Sequence, residues 1–578
     1  MKFQARYILL VGLLFPTVII AQKKDENIGS EVVNVVKPYS PTLSDAYKIK
    51  EEPVLDDEES LKKEPVNYKI FSFPVASTFT PSKGRAAAVD KAAREKLYQN
   101  YVTFGIGNYL NISTELYLTH ELGDNGFVSA MVRHNSSQGG IKDALVDDEF
   151  MTNSIDLAYL NKMREMNYQI DAGYYHRNFN WYGVDSNWIT GAGSGIYENF
   201  NPTHNFQNAH IGGTIGVNDS FFEGMKLRYD RFWDRFDSAE NHLVARPNFK
   251  FDVGGSNVKL GIEADYLHGE FSRFYLVDEK NPYTIFNISA HPSFSIQRDD
   301  WTINIGASVL YSMDSERSLN RFRVYPEAEA SLKVVGDLMV FYVGAQGGMD
   351  QNTYQKLSEI NPYVSPTLNI TPTDRQIDGY AGLKGMLAGN VSYDVRGYFK
   401  GEKDKALFRY NMLPAFGLPS YQPYQFSNSF DVVYDDVRTI GVSGDLNADF
   451  SKTVSAGLSA RFETFDTDDQ EEAWNLPQLS LSGKVEVDIT PKWFAGMQAF
   501  YVGKRKDVMT QLGGAVMDQT VDVDGYFDLN AHIGYKHSDR LSGFLKFNNI
   551  TAQSYEKWLN YPVQGFQVML GAGYKFDF

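Results

Sequence analysis

From Tyr98 to its last residue the chain repeats with a period of two, and a period of two permits little besides β-strand, where alternate residues face opposite ways. The final stretch is the clearest case. Phe566, Val568, Leu570, Ala572, Tyr574, Phe576 and Phe578 share one parity, while Gln567, Lys575 and Asp577, with Gly565, Gly571 and Gly573, share the other. Val258, Leu260, Ile262, Ala264 and Tyr266 face one way and Lys259, Glu263 and Asp265 the other. Arg321, Arg323, Tyr325, Glu327, Glu329 and Lys333 alternate with Phe322, Val324, Pro326, Ala328, Ala330 and Leu332. A strand of a soluble sandwich alternates in the same way, so the connections have to decide.

They sort by length. Short turns stand at Gly123 to Gly126, Arg164-Glu165, Asn218 to Ser220, Gly254 to Asn257, Arg298 to Asp300, Gly336-Asp337, Gly389-Asn390, Ser451 to Thr453, Thr490-Pro491 and His537 to Asp539. Between them lie longer connections: Phe179 to Phe206, Met349 to Arg375, Lys403 to Tyr434, Phe465 to Trp474 and Arg505 to Asp524. Short turns at one end and long loops at the other are how outer-membrane barrels are built, and a sandwich has no reason to sort them. Threading strands between the turns gives about 22, an even number as such single-chain barrels have. The expected fold is therefore all-β: a transmembrane barrel in the outer membrane of a Gram-negative bacterium, with periplasmic turns and extracellular loops. Its last strand must pair with its first, because an open edge is not tolerated in lipid.

Composition agrees. Aromatics make up 14% of the 578 residues, and mean hydropathy is −0.35. Only every second residue of a barrel strand meets lipid, and aromatic girdles mark the two interfaces. The mature region lacks the run of about 20 apolar residues that a spanning helix needs. There are no cysteines, hence no disulfides and no thiolate site. A net charge of −17 argues against nucleic acid as a partner.

The N-terminus differs. Lys2 and Arg6 precede an apolar core from Tyr7 to Ile20, and Ala21 precedes Gln22, which reads as a secretory signal peptide over residues 1–21. Residues 22–97 form a tail with an acidic cluster at Asp56 to Glu59 and prolines at 38, 41, 53, 65, 74 and 81. Such composition buries little core. The Ala-rich run near residues 85–97 favours a short helix with Ser82 as its N-cap. The barrel is then residues 98–578, and the tail lies in the periplasm.

Phe544 to Ile550, then Tyr555, then Tyr561-Pro562-Val563-Gln564-Gly565 and the final strand resemble the C-terminal end of TonB-dependent receptors. Phe566 stands where that family has Arg, and Asp577-Phe578 extend beyond Lys575-Phe576. The resemblance covers about the last 35 residues, and the expected strand number agrees with that family's barrel. It implies uptake or passage of a solute across the outer membrane. Residues 22–97 are too short and too poor in apolar side chains to be the family's plug domain. Glu31, Val32, Val33, Asn34, Val35 and Val36 resemble the extended box that adds a strand to TonB. Tyr574, Phe576 and Phe578 resemble the terminal signal read by the barrel-assembly machinery. The implied surroundings are outer-membrane lipid and lipopolysaccharide. The alternative role is that of a non-transporting subunit docking other outer-membrane proteins.

Within the barrel, the charges already named on strands 259–265 and 321–333, together with Arg246, Lys250 and Asp252, are expected to face the lumen and to pair. Trp181, Tyr182, Trp188, Tyr197, Phe200 and His204 lie in one long connection, and Tyr410, Phe416, Tyr421, Tyr424 and Phe426 in another. Loop aromatics of this kind either grip a ligand or partner outside, or fold inward and build a core of their own. The acidic run Asp466 to Glu472 lacks the glycine and spacing of an EF-hand and reads as a solvated loop. There is no Gly-x-Ser-x-Gly elbow and no His-Glu-x-x-His. No catalytic, cofactor or metal-binding residue is therefore assigned, and no enzyme activity is expected.

Overall fold

The computed structural model describes residues 97–184, 201–254, 256–411, 422–513 and 515–578. The leader, and the tail as far as residue 96, lie outside them. The described chain forms a closed sheet of 22 antiparallel strands. Consecutive strands pair with their neighbours, and the ring is shut by Asn100–Gly107 pairing with Gln567–Phe576, from Asn100↔Phe576 to Gly107↔Met569. Each of the ten short turns read from the sequence joins two barrel strands at one end.

The alternation becomes an inside and an outside. Leu570 and Tyr574 face outward and are exposed, as are Phe322, Val324 and Ile440. Aromatics gather outside near the short turns, where Trp493 packs on Tyr535 with ring centroids 4.8 Å apart and Tyr159 on Tyr168 at 5.9 Å. Phe576 is the last residue of the closing strand, and Phe578 lies beyond it, exposed.

Three elements differ from the reading of the sequence. The connection Arg505 to Asp524 is a hairpin, Arg505–Gly513 with Ala515–Val523, standing apart from the barrel sheet. Barrel strands run deep into the connection Lys403 to Tyr434, reaching Tyr410 on one side and starting again at Phe430 on the other. The connection Met349 to Arg375 contains a helix, Tyr354–Ile360, whose N-cap Thr353 accepts a hydrogen bond from the Lys356 N–H at 3.0 Å. Seven residues are too few to leave a helical period that the eye can find.

One ladder is incomplete. Leu319–Val335 pairs with Met339–Asp350 only from Glu327↔Gln346 down to the short turn. Above that point both strands continue without pairing to each other. Met339–Asp350 still pairs with Thr373–Leu387 on its other side, as far as Asp350↔Thr373. The split begins at Pro326, which has no N–H to give to a ladder. Among the described residues, it is the place where two neighbouring barrel strands both run on unpaired for several residues, Leu319 to Pro326 on one and Gly347 to Asp350 on the other.

Candidate functional site: a lidded lumen

The inward face of the wall changes character along its height. On the strand Asn281–Arg298 the inward positions run from Asn281, whose amide donates to the Leu368 carbonyl of a long loop at 2.8 Å, through buried Tyr283 and Ile285 to Asn287, Ser289 and His291. The deeper level is polar and ion-paired, with both signs on adjacent strands. Arg246 grips Glu263 with two bonds, Nε to Oε2 at 2.8 Å and Nη2 to Oε1 at 2.9 Å. His242 Nε2 lies 3.0 Å from Asp265 Oδ1. His291 bridges Glu327 at 2.8 Å and Ser289 at 2.8 Å. The Tyr380 hydroxyl donates to Glu329 at 3.0 Å. These side chains line a chamber of about 760 Å³, roofed by Thr353, Gln355, Lys356 and Glu359 around the short helix. The expectation that wall charges pair holds for Arg246 with Glu263, and for Arg321, Arg323 and Lys333 with Asp404, Asp374 and Asp337.

Above the chamber the long loops converge. Phe206, Phe232, Leu267, Phe271, Tyr283 and Ile285 from the wall meet Tyr354, Leu357, Val364, Leu368 and Ile370 from one loop. Trp181, Tyr424, Trp558, Leu559 and Tyr561 come from three others. The twelve largest fully buried side chains among the described residues all belong to this cluster. Polar groups tie it down. Tyr354 donates its hydroxyl to Asp234 at 2.8 Å and its N–H to Glu240 at 2.6 Å, and Glu240 also accepts from Tyr283 at 2.8 Å. Opposite sides of the mouth are joined directly. Tyr363 stacks on Tyr561 with centroids 3.6 Å apart, and Tyr182 donates to the Pro562 carbonyl at 3.0 Å. Tyr410 donates to the Gly183 carbonyl at 3.0 Å, and Asn428 to that of Trp181 at 3.3 Å. Burial pushes the Tyr182 and Tyr561 phenols well above their ordinary range, so they remain donors. These loops form a lid over the lumen. Burying twelve such side chains contributes on the order of 20–35 kcal/mol at about 1.5–3 kcal/mol each, so thermal motion does not lift the lid as one piece.

Trp181 is fully buried in the lid, stacked on His204 at 4.3 Å, and Tyr182 is half-buried beside Tyr363 and Tyr561. Of the same group, Trp188, Tyr197 and Phe200 lie outside the described residues, as do Glu31 to Val36. Tyr574 faces outward, Phe576 ends the closing ladder and Phe578 projects beyond it. The acidic loop is pinned: the Asp469 and Gln470 N–H groups donate to Asp435 at 3.0 and 2.8 Å, and Arg438 pairs with Asp466 at 3.2 Å. Among the described residues no three His, Asp or Glu side chains are grouped to hold a metal. Asp234, Glu240, Tyr354 and Tyr363 were not singled out from the sequence, and Tyr561 was read only as part of the C-terminal resemblance. A Thr cap at 353 followed by apolar Tyr354 and Leu357, three apart, was the local signal for the helix that carries one of them.

No family model matches the sequence and no curated protein is similar to it. Solved structures are similar in fold. The FrpB iron transporter from Neisseria meningitidis superposes with a TM-score of 0.63 at 11% identity, covering 83% of this chain and 82% of that one. The ferripyoverdine receptor of the Pseudomonas aeruginosa outer membrane gives 0.61 at 14%, covering 84% and 72%. The siderophore receptor PirA from Acinetobacter baumannii gives 0.60 at 12%, covering 82% and 80%. The chain thus has the 22-stranded outer-membrane barrel fold of these receptors, and its resemblance to TonB-dependent receptors stands at the level of that fold.

Proposed function

We propose that this chain is an outer-membrane uptake barrel whose loop lid is the outer closure of the passage and whose polar chamber receives the solute beneath it. The observation that carries this reading is the change of the inward face, wet and ion-paired below, apolar where the lid docks. The barrel fold shared with an iron transporter and siderophore receptors supports it. A lid held by tens of kcal/mol needs work done on it. In this reading residues 1–21 are a cleaved leader and residues 22–97 a periplasmic tail. Glu31 to Val36 engage TonB, which supplies that work. Substituting Val33 and Val35 by Pro removes the strand such pairing needs, and capture by a TonB C-terminal domain is expected to be lost.

The permanence of the lid also favours a second reading, a non-transporting barrel that docks partners in an outer-membrane complex. Conductance in planar bilayers separates the two. The mature protein is expected to be silent, and a variant lacking Asn352 to Pro372 to conduct. A silent lid-deleted barrel, with partner proteins co-purifying at fixed stoichiometry, would replace uptake by the second reading.

A further inference from the structure

The incomplete ladder lies at the chamber. Gln346, Gly347, Gly348 and Asp350 on one side of the split and Glu327 on the other are all chamber-lining residues. We infer that the split above Pro326 is a lateral portal, through which a membrane amphiphile places its polar head group in the chamber while its acyl chains stay in the bilayer.

The argument begins with the backbone. An unpaired strand edge at membrane depth is tolerated only where it lines a water-filled cavity or meets a polar partner. The edge here is at membrane depth. Phe322 and Val324, outward-facing beside the split, are 64% and 60% exposed, and the outward positions from Phe322 to Leu332 are all apolar. The cavity that makes such an edge tolerable is the chamber behind it. Its volume, about 760 Å³, lies within the range that holds a drug-sized molecule. Its lining, with carboxylates, imidazoles, hydroxyls and guanidinium groups together, suits a head group rich in hydrogen-bonding atoms and repels a hydrocarbon chain.

The split is latched by side chains in place of a ladder. Arg323 Nε and the Tyr325 hydroxyl reach across the neighbouring strand, at the level of Met349, to the two oxygens of Asp374, at 2.9 and 2.8 Å. Arg321 reaches Asp404 at 3.0 Å. Asp374 is buried, 1% exposed. Side-chain pairs open at less cost than a ladder of backbone bonds, and both flanking strands remain held on their far sides. The portal serves the chamber without any movement of the lid, so it stands or falls independently of uptake through the mouth.

The chain has no cysteine, which makes site-directed chemistry clean. The full-length protein in outer membranes would carry a benzophenone side chain at Gln346. Gln498, inward-facing on another part of the wall, serves as the negative control, and outward-facing Phe399 as the positive one. Gln346 is expected to give lipid adducts several-fold above Gln498, with the adduct mass separating glycerophospholipid from lipopolysaccharide. Bridging Arg323→Cys to Met349→Cys, both on the inward face across the split, with a short thiol reagent is expected to abolish them. Glu327 provides a second photoreactive position should the Gln346 variant fold poorly. Adducts no higher than at Gln498, adducts to protein alone, or adducts that survive the bridge would each overturn the portal.

Discussion

Asp507 is a carboxylate removed from water, and its setting has a measurable consequence. It sits in the hairpin outside the barrel, where the Asn475 side-chain amide and the Tyr410 and Val508 N–H groups donate to it at 2.7, 2.8 and 2.8 Å. Burial outweighs those bonds and pushes its carboxyl up to about 6. In the unfolded chain the group releases its proton near pH 4. The folded state therefore holds the proton more tightly between about pH 4 and 6, and stability present below pH 4 is lost as pH rises through 6. The contribution is on the order of 3 kcal/mol. Thermal melting at pH 4.5 and 7.5 is expected to show a drop for the natural protein and a smaller drop for Asp507→Asn; equal drops would mean that the carboxyl is already ionised. Nothing in the sequence around Asp507 marks it, since two of its three donors come from residues about 30 and 100 positions away in the chain, and burial is a property of the fold. Trp181 shows the same limit. Its membership of an aromatic loop was legible, but whether such a loop packs inward depends on what meets it.

Among strands, one device recurs inside the barrel. An aromatic lies over the glycine directly opposite it on the next strand: Tyr398 over Gly441, Tyr342 over Gly382, Tyr380 over Gly344, Phe494 over Gly534 and Phe544 over Gly571. A Cβ on any of these glycines would overlap the ring. The ring covers backbone that glycine leaves bare, and for Tyr398 it also holds the hydroxyl 2.7 Å from Glu463. Gly441→Ala is expected to displace that ring and cost about 1–3 kcal/mol. The double variant with Tyr398→Ala should cost less than the two single changes summed. Heat-modifiable migration on gels checks both, and strict additivity would show that the pair does not interact. Strands and short turns were readable because a two-residue period and turn residues are local signals. The hairpin Arg505–Val523 and the helix Tyr354–Ile360 were not, since both are short and hold their places by contacts with distant loops. The wall charges were legible as facing inward, and Arg246 with Glu263 sit on adjacent strands. The reach of Arg323 to Asp374 skips a strand, and no pattern along the chain announces it.

For the molecule as a whole, the end of the closing strand separates the terminal aromatics into one inside the ladder and one beyond it. Phe576 belongs to the ladder with Asn100, whereas Phe578 lies past it and is 81% exposed. If the terminal aromatics are read by the assembly machinery, Phe578→Ala should lower the amount of barrel reaching the outer membrane while leaving the melting temperature of purified protein unchanged. Unaltered yield would remove Phe578 from that role. The ring has a further implication in time. Its two ends meet over eight residue pairs, and the strand that completes it is the last to be synthesised. Asn100–Gly107 thus waits through the making of every other strand with one side unclaimed. Bringing such distant segments together costs about 5 kcal/mol of chain entropy in a flexible chain. During that interval the nascent protein offers a sticky edge to any extended polypeptide nearby, and its escape from aggregation depends on what shields one eight-residue segment until the end arrives.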